Sequence, residues 1–217
     1  MYQPAAFVQA DPAALARLIA EQPLATLVRT DGQGQLVADL IPLQWRPIAD
    51  AAPDAQLKGH LVGHVARANP LWREADGAAV LAVFQGPQAY ISPSWYPSKA
   101  DTGQVVPTWN YTVAQAHGRL RVIDDVVWLR ALVESLTAQH EGHRAQPWHV
   151  ADAPAGYIDK MLRAIVGIEI AVHRLEGKWK HSQNRGLADR AGVAAGLEAE
   201  ARAEAQAMAA LVKPGGA

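Results

Sequence analysis

The segment from Gly86 to Asn110, GPQAYISPSWYPSKADTGQVVPTWN, constrains this chain more than any other. Pro93, Pro97 and Pro107 each fix φ and remove a backbone donor, so no long helix crosses the region and a central strand is disfavoured. Tyr90, Trp95, Tyr96 and Trp109 stand among the prolines, with Tyr111 just beyond. A stretch this stiff and aromatic is either a surface ornament or a rigid rim around a ligand. Whatever folds on either side has to hold it.

The flanks are strand-like. LATLVRT (24–30) and QLVADLIPLQW (35–45) sit on either side of Asp31-Gly32 and Gly34, which predicts a hairpin. QLKGHLVGHV (56–65), AAVLAVFQG (78–86), WNYTVAQAHGRLRVID (109–124) and VGIEIAVHRLEG (166–177) predict further strands. Gly118 predicts a break or bulge in the third of these, and Ile168, Ile170 and Val172 alternate in the last. Three helices are also legible. The first lies within 11–23, with Asp11 as cap, Pro12 in the first turn, and Leu15, Leu18 and Ile19 on one face. The second follows Asp124-Asp125, and the third is AGYIDKMLRAI (155–165). From Leu197 the chain turns Ala/Glu-rich and helical by propensity, with little that must be buried. The expected division is a domain over 1–196 and a helical tail over 197–217. Elements in this order are not βαβαβ. They predict a mainly β fold with helices (α+β), an antiparallel barrel with helices at its periphery.

Composition removes whole classes of chemistry. There are 217 residues and no cysteine, so disulfides, thiolate catalysis and cysteine–metal clusters are absent. Twenty basic against 21 acidic side chains give none of the basic excess usual in nucleic-acid binders. The opening residues have neither a charged n-region nor an apolar h-region, and no apolar run approaches the roughly 18 residues of a membrane span, which predicts a cytoplasmic protein. No G-x-G-x-x-G follows a strand, no G-x-x-x-x-G-K-[ST] occurs, and no G-x-S-x-G elbow is present. His140 and His143 in HEGH stand three apart where a zinc-protease pair needs four, so no metal site is expected. His60 and His64 would share one strand face without a carboxylate of their own, as strand-end histidines satisfied by backbone groups do.

Polar residues concentrate in three places. In GHVARANPLW (63–72) a strand runs into a helical turn, and Arg67, Ala68 and Asn69 lie where backbone N–H groups favour an anion. The proline-rich segment contributes Ser94, Tyr96, Lys99, Thr108 and Asn110. The run EGKWKHSQNR (176–185) follows the last expected strand. Each has an ordinary alternative: Arg67 as a surface cation, Trp95 and Trp109 as core filler, KWKHSQNR as a solvated loop. Together they suit a flat ring carrying a single phosphate.

Seven segments, MYQPAAF, GHVARANPLW, VFQGPQAYISPSWYPSK, VPTWNY, HGRLRVIDD, MLRAIVGIEI and LEGKWKHSQNR, resemble PaiB-type proteins, the FMN-binding negative transcriptional regulators. The resemblance runs from Met1 to about Leu197, with the tail outside it. It implies an FMN-binding split barrel, Greek-key-like and antiparallel, usually a homodimer with flavin at the subunit interface. By the same resemblance, Arg67 would pair with the FMN phosphate, helped by the N–H groups of Ala68 and Asn69. Trp95, Tyr96 or Trp109 would cover a ring face, Thr108 and Asn110 would address its polar edge, and Lys99 would serve the phosphate or the partner subunit. Ser182, Gln183 and Asn184 would reach the pyrimidine end or close the site from the neighbouring subunit. Two positions depart from the family pattern: Gln115 stands where a histidine is frequent, and His181 where an apolar residue is usual. Two functions are compatible with these residues, a flavin-binding regulator and an FMN-dependent oxidoreductase, and no residue is marked as a catalytic acid, base or nucleophile. The basic run GKWKHSQNR keeps direct DNA contact as a minor third reading.

Overall fold

The computed structural model describes residues 1–48 and 56–213. Residues 214–217 of the expected tail lie outside them. Strand β1 (Val8–Gln9) leads into helix α1 (Pro12–Glu21), which begins as the sequence predicts. Asp11 Oδ1 and Oδ2 accept the N–H groups of Ala13 and Ala14 at 3.1 and 3.2 Å. Leu15, Leu18 and Ile19 are buried. Strands β2 (Leu24–Thr30) and β3 (Leu36–Pro42) form the hairpin, from Thr30 opposite Leu36 to Leu24 opposite Pro42. Asp31 Oδ1 accepts the Gln33 and Gln35 N–H groups, and Gly34 takes φ 77°, which only glycine adopts without strain.

The expected strand 35–45 is two strands. The ladder stops at Pro42, the Leu43 N–H turns to the Pro23 carbonyl at 2.8 Å, and β4 (Gln44–Pro47) pairs with β5 (Gly59–Ala66) instead. After the short helix α2 (Leu71–Glu74) come β6 (Ala79–Ile91), the four-residue helix α3 (Lys99–Thr102) and β7 (Thr108–Ile123). β7 runs unbroken through Gly118. A Cβ there would overlap the Ala171 carbonyl oxygen, so this glycine permits close backbone approach. Helices α4 (Val126–Glu141) and α5 (Ala155–Arg163) follow, and Asp125 caps α4 by accepting the Trp128 N–H at 2.7 Å. Strand β8 (Ile165–Lys180) runs further than predicted, so the residues from Glu176 to Lys180 are strand. Helices α6 (Leu187–Ala199) and α7 (Ala203–Val212) end the described chain.

The strand order is β3-β2-β6-β7-β8-β5-β4, with β1 added to β8: an eight-stranded antiparallel sheet that is not closed. Two compact units divide it. Unit 1 comprises 1–18, 85–115 and 176–217; unit 2 comprises 19–84 and 116–175. In unit 1 the tail helices are part of the core. Ala205, Met208, Ala209 and Val212 of α7 pack with Val193, Ala194 and Leu197 of α6 and with Ala89, Ile91 and Tyr96. The expectation of an unburied tail fails because the alanines of α7, with Met208 and Val212, are apolar without a pronounced stripe, and still bury well against small neighbours. Unit 2 has the β5–β8 ladder at its centre, with Leu61, Ile168, Ile170 and Val172 fully buried, and a second cluster of Leu129, Val150, Ile158 and Leu162.

Candidate functional site

In unit 1, β7 presents Thr108, Asn110 and Thr112 at alternate positions, and each meets one of three consecutive residues at the end of β8. Lys180 Nζ donates to Thr108 Oγ1 and, at 2.7 Å, to the Trp109 carbonyl. Asn110 Nδ2 donates to Ser182 Oγ at 2.9 Å. Thr112 Oγ1 lies 2.8 Å from His181 Nε2. Asn110, Thr112, His181 and Ser182 are all buried. Ser182 has φ 60°, the left-handed region that residues with a Cβ avoid. Asn110 Oδ1 is buried with no hydrogen-bond partner. A buried acceptor left bare is costly, which marks a place where a ligand donor belongs. Burial holds the His181 imidazole down at about 4, assisted by the Arg190 charge, so it is neutral at ordinary pH.

Cations gather around these rungs. Burial holds the Lys180 ammonium below its ordinary value; the Lys178 and Arg185 charges push the same way and Tyr111 opposes them. Lys178 Nζ lies 5.5 and 5.3 Å from the ring centres of Tyr2 and Tyr111 and donates to the Tyr2 carbonyl at 3.0 Å. The Arg185 guanidinium sits 4.9 Å from the centre of the Tyr96 ring. Tyr96 is buried and its phenol pKa is raised by that burial, with Arg185 opposing. Asp189, in the first turn of α6, accepts the Ser98 N–H and hydroxyl at 3.1 and 2.8 Å and so ties the proline-rich loop to the helix.

Other residues proposed from sequence are placed as follows. Trp95 packs on the backbone of α6 at Gly196, where an added Cβ would overlap its indole. Trp109 is 53% exposed and meets Tyr90 edge to face, with centres 6.1 Å apart. Lys99 and Asn184 are exposed. Gln183 braces the turn, accepting the His181 N–H at 2.7 Å and donating to the Trp179 carbonyl. Sequence does not single out Thr112 or Asp189 as ligand contacts, and marks Lys180 and Arg185 only as members of the 176–185 run. The period-two alternation that exposes Asn110 inward also carries Thr112, and that signal was available; the pairing of Asp189 with Ser98 left none.

Arg67, Ala68 and Asn69 lie in unit 2. The Arg67 guanidinium is engaged by Asp124: Nη1 donates to Oδ2 at 2.9 Å and Nη2 to Oδ1, while Nε donates to the Arg163 carbonyl at 2.8 Å and Nη2 also to that of Ile165 at 3.1 Å. Asp124 raises the Arg67 pKa, chiefly through this hydrogen bond, and Asp124 is held below its ordinary value by the same contact. The Asn69 N–H goes to the Ala66 carbonyl, and Asn69 Oδ1 accepts the Leu71 N–H at 2.9 Å. Sequence places an open anion site here; the structure supplies the Arg67 guanidinium and the Asn69 N–H with protein partners. His60 Nδ1 lies 3.6 Å from Glu169 Oε1, so its neighbour is a carboxylate and not the expected backbone group. Burial lowers the pKa of His64, whose Nδ1 is bare. His140 lies in the last turn of α4 and His143 follows the helix. Among the described residues, no group of three His, Asp or Glu side chains is arranged to hold a metal.

An isoalloxazine ring has an imide N–H between two carbonyls at its pyrimidine edge. Asn110, with one bare heteroatom, suits that edge. The comparisons show the family. Residues 1–174 match the family described as "Putative FMN-binding domain". This chain belongs to that FMN-binding family. It is 31% identical to PaiB of Bacillus subtilis strain 168, named protease synthase and sporulation protein PAI 2, over 98% of this chain and 97% of that one. The likeness therefore extends through the C-terminal helices, past the limit read from sequence. A protein of Emericella nidulans, named uncharacterized protein AN0679, is 34% identical over 91% of this chain and 90% of that one. The structure of an FAD and heme binding protein from Mycobacterium smegmatis matches with a TM-score of 0.58 at 19% identity, over 80% of this chain and 73% of that one. That likeness shows the fold, a flavin-binding split barrel. No helix among the described residues is long and apolar enough to cross a membrane.

Proposed function

We infer that this chain is an FMN-dependent regulatory protein of the PaiB type, working as a homodimer in the cytoplasm, with the flavin ring read by unit 1. The observation that carries the flavin part is the bare, buried Oδ1 of Asn110 in a cluster pinned by three side-chain rungs. Asn110 and Ser182 would hold the pyrimidine edge, and Thr108 positions Lys180 beside it. Arg67 already has its counter-charge, so the phosphate falls to the cations of unit 1, Lys180 and Arg185 with Lys99. Bound FMN supplies an exchangeable pair of electrons; the chain supplies orientation and charge. The regulatory part is supported by the relative named for protease synthesis and sporulation. Pairing of two copies is supported by one face of the β2–β3 hairpin. Its outward positions, Leu24, Thr26, Val28 and Thr30 opposite Pro42, Leu40, Ala38 and Leu36, include no charge, and Leu36 and Leu40 are 78% and 68% exposed. An uncharged face can meet its own copy about a two-fold axis without repulsion.

The test is an absorbance spectrum of the protein from its native host, then acid release and chromatography of the pigment. FMN near one per chain is expected; a colourless protein that takes up no added FMN rejects the reading. Salt-dependent binding of duplex DNA by the holoprotein supports regulation by direct contact. Steady oxidation of a reduced nicotinamide would instead make it an oxidoreductase.

A further inference from the structure

Ser182 is the only non-glycine residue with positive φ among the described residues, and it is buried. Glycine would occupy this backbone without strain. A serine persists in such a conformation only where its surroundings over-determine it. The rungs from Lys180 to Thr108 and from His181 to Thr112 pin the chain immediately before it, and Gln183 braces the same turn. What serine adds over glycine is a hydroxyl, and that hydroxyl receives Asn110 Nδ2 at 2.9 Å. With the amide nitrogen so occupied, Oδ1 is left bare.

We propose that Ser182 is a positioning residue whose strained backbone places its hydroxyl on the Asn110 amide nitrogen, leaving Asn110 Oδ1 to accept the imide N–H of the flavin's pyrimidine ring. This rests on the flavin reading above and adds a specificity to it. The site takes a ring whose N–H is flanked by carbonyls and rejects the N-alkylated analogue. A buried acceptor denied its donor discriminates strongly, because nothing else fills the gap.

The experiment compares FMN with N3-methyl-FMN by fluorescence titration of the apoprotein, in the parent and in Ser182→Gly. The parent should prefer FMN by roughly ten- to a hundredfold. Ser182→Gly relieves the left-handed strain but leaves Asn110 Nδ2 unpaired, two opposing effects that should leave the melting temperature of the apoprotein little changed, yet bring the ratio of the two affinities close to one. Asn110→Ala, which leaves the Ser182 backbone alone, should do the same and keeps the test alive if glycine unfolds the turn. Equal binding of both flavins by the parent overturns the proposal, as does a parental ratio retained in Ser182→Gly, because a mere steric block would survive that change. A parent that binds neither flavin overturns the FMN reading along with this one.

Discussion

An imidazole in water takes a proton near pH 6.5, but His181, buried against Thr112 and under the influence of Arg190, holds out to about 4. Between those values the unfolded chain binds the extra proton and the folded chain does not, so stability falls as pH drops from 6.5 towards 4. The loss should reach about 3 kcal/mol at the acid end. Urea titrations at pH 7 and pH 4.5 should show it, and His181→Gln should flatten that window. At Arg67, the pairing with Asp124 changes what a substitution does. Arg67→Ala should lower the melting temperature and leave the ratio of FMN to riboflavin affinity unchanged; a selective loss of FMN would return the phosphate to Arg67. Lys180→Met should do the opposite, weakening FMN roughly 10- to 150-fold and riboflavin far less, measured by fluorescence quenching. Asn110, Thr108 and Ser182 were legible in sequence as polar groups beside constrained aromatics. The pairing of Arg67 was not legible, because Asp124 lies 57 positions away and its place in the sequence marks only the opening of a helix.

Among elements, periodicity carried furthest where one face is buried. Helix α1 with its Asp11 cap, the β2–β3 hairpin and the alternation in β8 follow directly from the residues. Periodicity failed where strand and loop share a composition, as in KWK (178–180), whose charges suggest solvent but whose backbone continues β8. It failed again at α7, which is apolar without a pronounced stripe, and at α6, whose small residues let the proline-rich loop approach closely. That smallness is testable. An added Cβ at Gly192 would overlap the Trp95 carbonyl oxygen, a backbone atom that cannot rotate away. Gly192→Ala should therefore cost about 1–3 kcal/mol in denaturant unfolding despite the higher helix propensity of alanine. At Gly186, where no neighbour stands within 4 Å of such a Cβ, the same change should cost far less.

For the whole molecule, sequence foresaw the fold class and not its division. A boundary near residue 196 looked natural because composition shifts there, yet the compact units are drawn from interleaved segments, three for unit 1 and two for unit 2. Assembly is the other property of this scale. Leu40→Lys puts a charge in the uncharged β3 face and should give a monomeric mass in light scattering where the parent is dimeric; a parent that is itself monomeric with FMN bound would remove the dimer from the reading. The interleaving has a consequence in time. A ribosome delivers the chain from its N-terminus, so every residue of unit 2 has been made once Leu175 is added, while unit 1 still awaits Lys180, His181 and Ser182. Nascent chains stalled before β8 is complete should thus have unit 2's full sequence but no means of capturing pigment. On the proposed site, flavin loading then waits on β8 and the turn after it, however early the residues of unit 2 are complete.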